Sequence, residues 1–303
     1  MSVTPLLQIA PEVQEALHSS GPVVALETTL IAHGFPPRVG VEVGLAAEAA
    51  VRTAGAVPAT VGVVDGAVRV GLARKELERF GDAGTDARKA GPRDLAACAA
   101  QRTLGATTVG GTLAVCRLAG IRFLGTGGIG GVHRGYAERP DVSADLAELA
   151  RTQALVVASG VKSLLDVAAS AETLETLGIP TLGYRTDELP LFYAARGGPP
   201  VSTRVESADE AASIATAHWE LGGAALLLAR PPEDGVDVEP LLEQALQAAA
   251  AADVTGQAFT PFVLSYLHER SGGRTLEVNR QLIVDNARLA AEVAVAFSRP
   301  ASA

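Results

Sequence analysis

Short apolar runs alternate along this chain with longer stretches of helical period. Residues 23–31 form a β-rich run, and 39–54 read as a helix with an alanine-rich face. Residues 60–64 and 67–70 are two alternating runs joined by Asp65-Gly66, a strong two-residue hairpin signal. Helices are predicted over 74–80, 93–104 and 112–119, with strands at 107–110 and 121–125. Beyond a glycine cluster come a capped helix at 143–151, a strand at 155–159 and a helix over 162–177, halted by Gly178 and Pro180. Strands at 181–184 and 224–228 flank a helix at 208–221, and the chain closes with helices over 238–252, 260–271 and 276–297. This alternation predicts a three-layer α/β/α fold. Its central sheet is mixed, mostly parallel, and contains one β-hairpin. No Ser/Gly/Pro linker divides the chain, so residues 1–303 read as a single domain.

Composition narrows the function classes. A hydrophobic content of 48% over 303 residues can fill a large core. Mean hydropathy is +0.24, yet no apolar run approaches the ~18–20 residues of a spanning helix. With no signal-peptide pattern at the start, a cytoplasmic location is expected, with no membrane partner. A net charge of −9 without a basic cluster reads against a nucleic-acid polymer as partner. Cys98 and Cys116 lack metal-type spacing and read as free, buried thiols. Of 25 basic residues only Lys75, Lys89 and Lys162 are lysines. Arginine supplies charge equally well but cannot act as an amine nucleophile, so each lysine poses a chemical question.

Lys162 follows the 155–159 strand and opens the predicted 162–177 helix. A helix N-terminus and burial both disfavour an ammonium, and Schiff-base chemistry requires the neutral amine. Glu27 lies inside an apolar strand, where a carboxyl is costly unless paired or functional, and desolvation makes it an acid/base candidate. His33-Gly-Phe-Pro36 follows, with His33 either near the site or simply in a turn. Lys89 could hold a phosphate as a point charge. The run Gly125-Thr-Gly-Gly-Ile-Gly-Gly-Val-His-Arg-Gly135 contains G-x-G-x-x-G after a strand. It continues into a Pro140 loop instead of a helix, which reads against dinucleotide binding. Its glycines suggest positive-φ positions and an anion nest of backbone N–H groups. Asp141 and Asp145 flank the capping residue Ser143, and two carboxylates at this spacing would suit Mg²⁺ or Mn²⁺ over zinc.

Val24-Ala-Leu-Glu27-Thr-Thr, His33-Gly-Phe-Pro, Gly55-Ala-Val-Pro-Ala-Thr60, the long glycine motif and Asp141-Val-Ser-Ala-Asp145 together resemble the pseudouridine-5'-phosphate glycosidase family. The Gly160-Val-Lys-Ser163, Thr260-Pro-Phe and Asn279-Arg-Gln-Leu segments fit as well, so the likeness runs from about residue 20 to about 295. It implies breakage or formation of the C–C bond between uracil C5 and C1' of ribose 5-phosphate, with Mn²⁺ or another divalent ion such as Mg²⁺ or Fe²⁺. It further implies Lys162 as the covalent nucleophile, Glu27 as proton donor and Asp141 as the metal-linked aspartate. Substrate contacts fall on Lys89, Val109, Ser143, Ala144 and Asp145, with His133 and Asn279 near uracil and sugar. A homotrimer is implied too. Where the family has Ser-Arg between Lys-x and Arg-Asp, this chain has Gly91-Pro92 between Lys89-Ala90 and Arg93-Asp94, which leaves the loop beyond Lys89 open. The alternative is a non-catalytic nucleotide- or sugar-phosphate-binding module on the same scaffold.

Overall fold

The fold is described from a computed structural model, over residues 6–254 and 259–299. Nine strands run in the order Leu7–Ile9, Ala67–Val70, Val57–Val64, Val23–Leu26, Phe123–Gly125, Leu155–Ala158, Leu226–Ala229, Thr181–Tyr184 and Thr203–Val205. Strands Arg88–Ala90 and Gly105–Thr107 join the same 11-stranded sheet beside Val57–Val64. From Val57–Val64 to Thr203–Val205 the main path is parallel, and every residue of Val23–Leu26, Leu155–Ala158 and Leu226–Ala229 is buried. Such continuous apolar runs are what a sheet covered on both faces demands. The mixed sheet and its hairpin are as the pattern predicts. Val57–Val64 pairs antiparallel with Ala67–Val70, and Asp65 and Gly66 turn at φ of +52° and +88°, the primed geometry that suits hairpin twist.

Helix Arg274–Ser298 crosses Val23–Leu26, Phe123–Gly125 and Leu155–Ala158, with Pro37–Thr53 and Ala208–Glu220 beside it. Val109–Ala119 packs on Val23–Leu26 and Val57–Val64 together with Ala144–Leu149, forming the second helical layer. Cys98 and Cys116 are buried free thiols. Among the described residues no helix is long and apolar enough to cross a membrane.

Several boundaries shift from the sequence reading. The 23–31 run is strand only to Leu26, and a helix opens at Thr29. The helix expected over 93–104 is Leu95–Ala100, and the strand expected at 107–110 is Gly105–Thr107. The largest shift is at Lys162. The helix expected there begins at Val167, capped by Asp166, after the short strand Leu165–Asp166. Pairing of that strand with Val132–His133 overrides the helical period of 162–166, and the macrodipole argument for Lys162 falls with it.

Candidate active site

Register aligns Leu26, Gly125 and Val157 across three parallel strands. Glu27, Thr126 and Ala158 therefore follow at one sheet edge, the carboxyl edge where open α/β sheets bind ligands. Glu27 and Thr126 become neighbours there, and Thr126 Oγ1 donates to Glu27 Oε1 at 2.5 Å. Glu27 is 4% exposed. Burial pushes its carboxyl above the ordinary value, against the opposing effects of Lys162, the Thr126 hydrogen bond and Lys89.

Two glycine-bearing segments zip together to set Lys162. Ile129 N–H donates to Gly160 O at 3.1 Å, and Lys162 N–H donates to Ile129 O at 3.2 Å. Leu165 and His133 then pair, and Arg134 donates to the carbonyls of Ser163 and Leu165. Lys89 arrives through pairing of Arg88–Ala90 with Gly105–Thr107. That strand is fixed by Thr29 Oγ1, which donates to Ala106 O and Thr107 O, and by Thr107 N–H, which donates to Thr28 Oγ1. Burial and the Lys162 charge lower the Lys89 amine below the ordinary lysine range, against Asp145, Glu27 and Asp141. Beyond Lys89 the Gly91-Pro92 loop is held by Asp94, which accepts from Gly91 N–H and Arg88.

Glu27, Thr29, Lys89 and Lys162 stand where two compartments meet. The inner pocket is mostly apolar, with Leu30, Phe35, Phe192, Leu264 and Ile283 among its walls and Asn279 and His33 as polar groups. The outer cleft is polar and carries Arg93, His133, Asp141, Ser143, Ala144 and Asp145. The predicted residues are thus gathered, with Asn279 inside and His133 outside. Val109 differs: it opens helix Val109–Ala119, its side chain is buried, and it lines neither compartment. Thr260 lies on helix Phe259–Arg270. Burial lowers the His133 imidazole, against the nearby Asp141 charge. Its Nδ1 is 3.9 Å from Asp141 Oδ2.

The glycine cluster works differently from the predicted anion nest. Of the run's glycines Gly135 alone has positive φ, at +80°, and Gly125, Gly127, Gly128, Gly130 and Gly131 do not. They permit close packing. A Cβ on Gly125 would lie 2.8 Å from Ala287 Cα, and one on Gly130 would lie 2.2 Å from Ser143 Oγ. The Gly130 N–H is already taken, donating at 2.8 Å to Asp145 Oδ2, while Gly110 N–H donates to Oδ1 at 2.7 Å. Asp145 is therefore a strut between two backbone segments, and it shares the outer cleft with Asp141. Three contributors escape a sequence reading. Thr126 was visible only as part of the motif. Asn286 donates from Nδ2 to Thr126 O and Ser159 Oγ from the far end of the chain. Phe192 lines the inner pocket at φ +63°, a strained backbone that no pattern of apolar positions announces.

Residues 12–296 match the profile of a family described as indigoidine synthase A like protein. The pseudouridine-5'-phosphate glycosidase of Herpetosiphon aurantiacus is 46% identical over 297 residues, covering 96% of this chain and 98% of that protein. The pseudouridine-5'-phosphate glycosidase of Escherichia coli K12 is 43% identical over 300 residues, covering 97% and 96%. Among solved structures, the prealnumycin C-glycosynthase AlnA in complex with ribulose 5-phosphate superposes with a TM-score of 0.88 at 39% identity, over 98% of each chain. An indigoidine synthase A-like protein of Thermotoga maritima gives 0.87 at 36% identity, over 97% of each chain.

Proposed function

The chain belongs to the indigoidine synthase A-like family and, within it, to the pseudouridine-5'-phosphate glycosidases, and from that premise we propose that it cleaves pseudouridine 5'-phosphate to uracil and ribose 5-phosphate through a lysine-bound sugar. The observation that carries this reading is the meeting of Glu27, Lys89 and Lys162 at the junction of an apolar pocket and a polar cleft. The base suits the inner pocket and the sugar phosphate the outer cleft, which puts C1' at the junction.

Carbon is a poor leaving group, so direct displacement of the base is unfavourable. Glu27, whose carboxyl burial pushes above its ordinary value, donates a proton to O4' as the C1'–O4' bond breaks and the ribose ring opens. The Lys162 nitrogen forms a bond to C1' and passes one of its protons to the Glu27 carboxylate. Glu27 delivers the proton it took from the nitrogen to uracil C5, the C1'–C5 electron pair returns to the base, and the nitrogen lone pair freed by that proton loss completes a C1'=N bond. Water hydrolyses that imine, which releases ribose 5-phosphate and restores the amine. Each step reverses for synthesis. Lys89 and the Ser143–Ala144 segment orient the sugar phosphate, with His133 on the same side and Asn279 against the base.

Among the described residues no three His, Cys, Asp or Glu side chains gather as a metal cage. The Asp145 carboxylate is taken up by backbone N–H groups, and Asp141 is half-exposed on the cleft wall. A single carboxylate fits a hard ion that keeps its waters and takes oxygens from substrate. Mn²⁺, with Mg²⁺ or Fe²⁺ as substitutes, would be held at Asp141 and would supply positive charge to sugar-phosphate oxygens. We also propose a cytoplasmic location and, from the family resemblance, homotrimeric assembly, which sedimentation velocity tests. Borohydride added during turnover should leave sugar phosphate attached to Lys162, detected by peptide mass. A Lys162→Ala variant releasing uracil at the wild-type rate would overturn the reading.

A further inference from the structure

His33 has no part in the steps above, yet it stands in the wall of the inner pocket that Phe35 and Asn279 also line. Its Nε2 is buried and makes no hydrogen bond among the described residues. Folded proteins seldom leave such an atom without a partner, because the desolvation cost is not returned. Burial and the neighbouring Lys89 charge both favour the uncharged ring, against a hydrogen bond to the Ala87 backbone. With Nε2 the orphan, Nδ1 is the nitrogen that serves Ala87. A neutral imidazole whose proton sits on one nitrogen presents the other as an acceptor. The wall of the inner pocket therefore contains a buried acceptor without a donor.

The second polar group of that pocket is complementary. Asn279 is 4% exposed, and its amide makes no hydrogen bond among the described residues. It offers a carbonyl acceptor and an NH₂ donor. Around both stand the apolar surfaces of Phe35, Phe192 and Ile283. A flat ring that carries N–H beside C=O would satisfy the amide and the imidazole together. A ring lacking the N–H would leave Nε2 buried and unpaired, and sites built to bond a polar group reject analogues without it.

We propose that His33 determines base specificity, its Nε2 accepting a ring N–H of the planar cyclic imide seated against Asn279. This rests on the glycosidase reading. His33 lines the inner pocket and an adjoining cleft toward Asp82–Thr85 but not the outer cleft. That position separates it from the sugar-phosphate contacts and makes it a residue of base selection.

The test runs the enzyme toward synthesis, from uracil and ribose 5-phosphate, with uracil, 1-methyluracil and 3-methyluracil as bases. Wild-type enzyme should reject at least one N-methyl base by about 10-fold or more in kcat/KM, the size of one lost hydrogen bond. His33→Leu should raise the uracil KM by a similar factor, leave the ribose 5-phosphate KM within about 2-fold, and narrow that discrimination. His33→Gln, which keeps an acceptor, should restore most of the uracil KM. An unchanged uracil KM in folded His33→Leu would overturn the inference, as would equal use of all three bases by the wild type, a result that needs no variant. Wild-type enzyme inert toward pseudouridine 5'-phosphate would instead remove the glycosidase reading. In that event calorimetry of uracil with wild type decides the inference: binding weakened by His33→Leu sustains it, and no binding ends it.

Discussion

Replacing Thr126 by valine tests whether the proton of Glu27 limits catalysis. The swap keeps the branched shape and removes one hydroxyl. That hydroxyl donates to Glu27 Oε1 at 2.5 Å, in a place where Thr126 is 1% and Glu27 4% exposed. It stabilises the carboxylate and so lowers the Glu27 pKa, against the larger upward effect of burial. A hydrogen bond to a charged group contributes about 1.5–3 kcal/mol, and about 1.4 kcal/mol corresponds to one pKa unit. Its loss should raise the Glu27 pKa by about 1–2 units. Glu27 donates its proton in the proposed ring opening, so activity falls as pH rises through that pKa. The alkaline limb of kcat/KM should therefore move upward by the same amount in Thr126→Val. The assay is uracil release from pseudouridine 5'-phosphate, followed by absorbance across the pH range. A limb that stays in place, or moves down, in a folded variant would refute the assignment of that limb to Glu27.

Three further outcomes are expected. Glu27→Gln should abolish turnover while raising Tm at neutral pH. The folded state holds the Glu27 proton more tightly than the unfolded chain, whose value is near 4.5, so stability declines as pH rises from there through the raised folded value, and glutamine removes that decline; thermal melts across the window check it. Gly130→Ala should cost about 1–3 kcal/mol and most of the activity, because its Cβ would lie 2.2 Å from Ser143 Oγ and 2.8 Å from Asp145 Oδ2; denaturant midpoints and kcat/KM together measure it. Asp145→Asn should cost about 1–3 kcal/mol by leaving Gly110 or Gly130 N–H short of an acceptor, and an unchanged urea midpoint would argue against the strut.

The legible parts of this molecule were those encoded locally. Asp65-Gly66 between alternating runs fixes a hairpin from neighbouring residues alone. A glutamate inside Val23–Leu26 and its continuation is conspicuous because an apolar strand should not carry one, and the site bears that out in its burial. Lys162 was found by its position after a strand, but for a partly mistaken reason. Its helix starts later, since residues 165–166 pair with 132–133 across a sequence gap that no helical period can reveal. The glycines are legible only in part: Gly127 and Gly128 line the inner pocket and Gly130 the outer cleft, while Ala287, Phe192, Ser143 and Ser170 occupy the space that side chains would need. Asp145 reads in the sequence as half of a metal pair, and nothing local announces the two backbone N–H groups from which its carboxylate accepts. Phe192 was silent because strain at one φ angle is a property of the folded loop.

The tie between Asn286 and Thr126 spans 160 residues. Asn279 and Ile283, on the same helix, complete the inner pocket against Gly127. The ribosome makes that helix after every other part of the site. While it is still inside the exit tunnel, the loop bearing Thr126 lacks its anchor and the inner pocket lacks a wall. A nascent chain can thus form much of its sheet yet hold no working junction of Glu27 and Lys162. Vectorial synthesis makes catalytic competence a late event, reached only when helix Arg274–Ser298 emerges and docks.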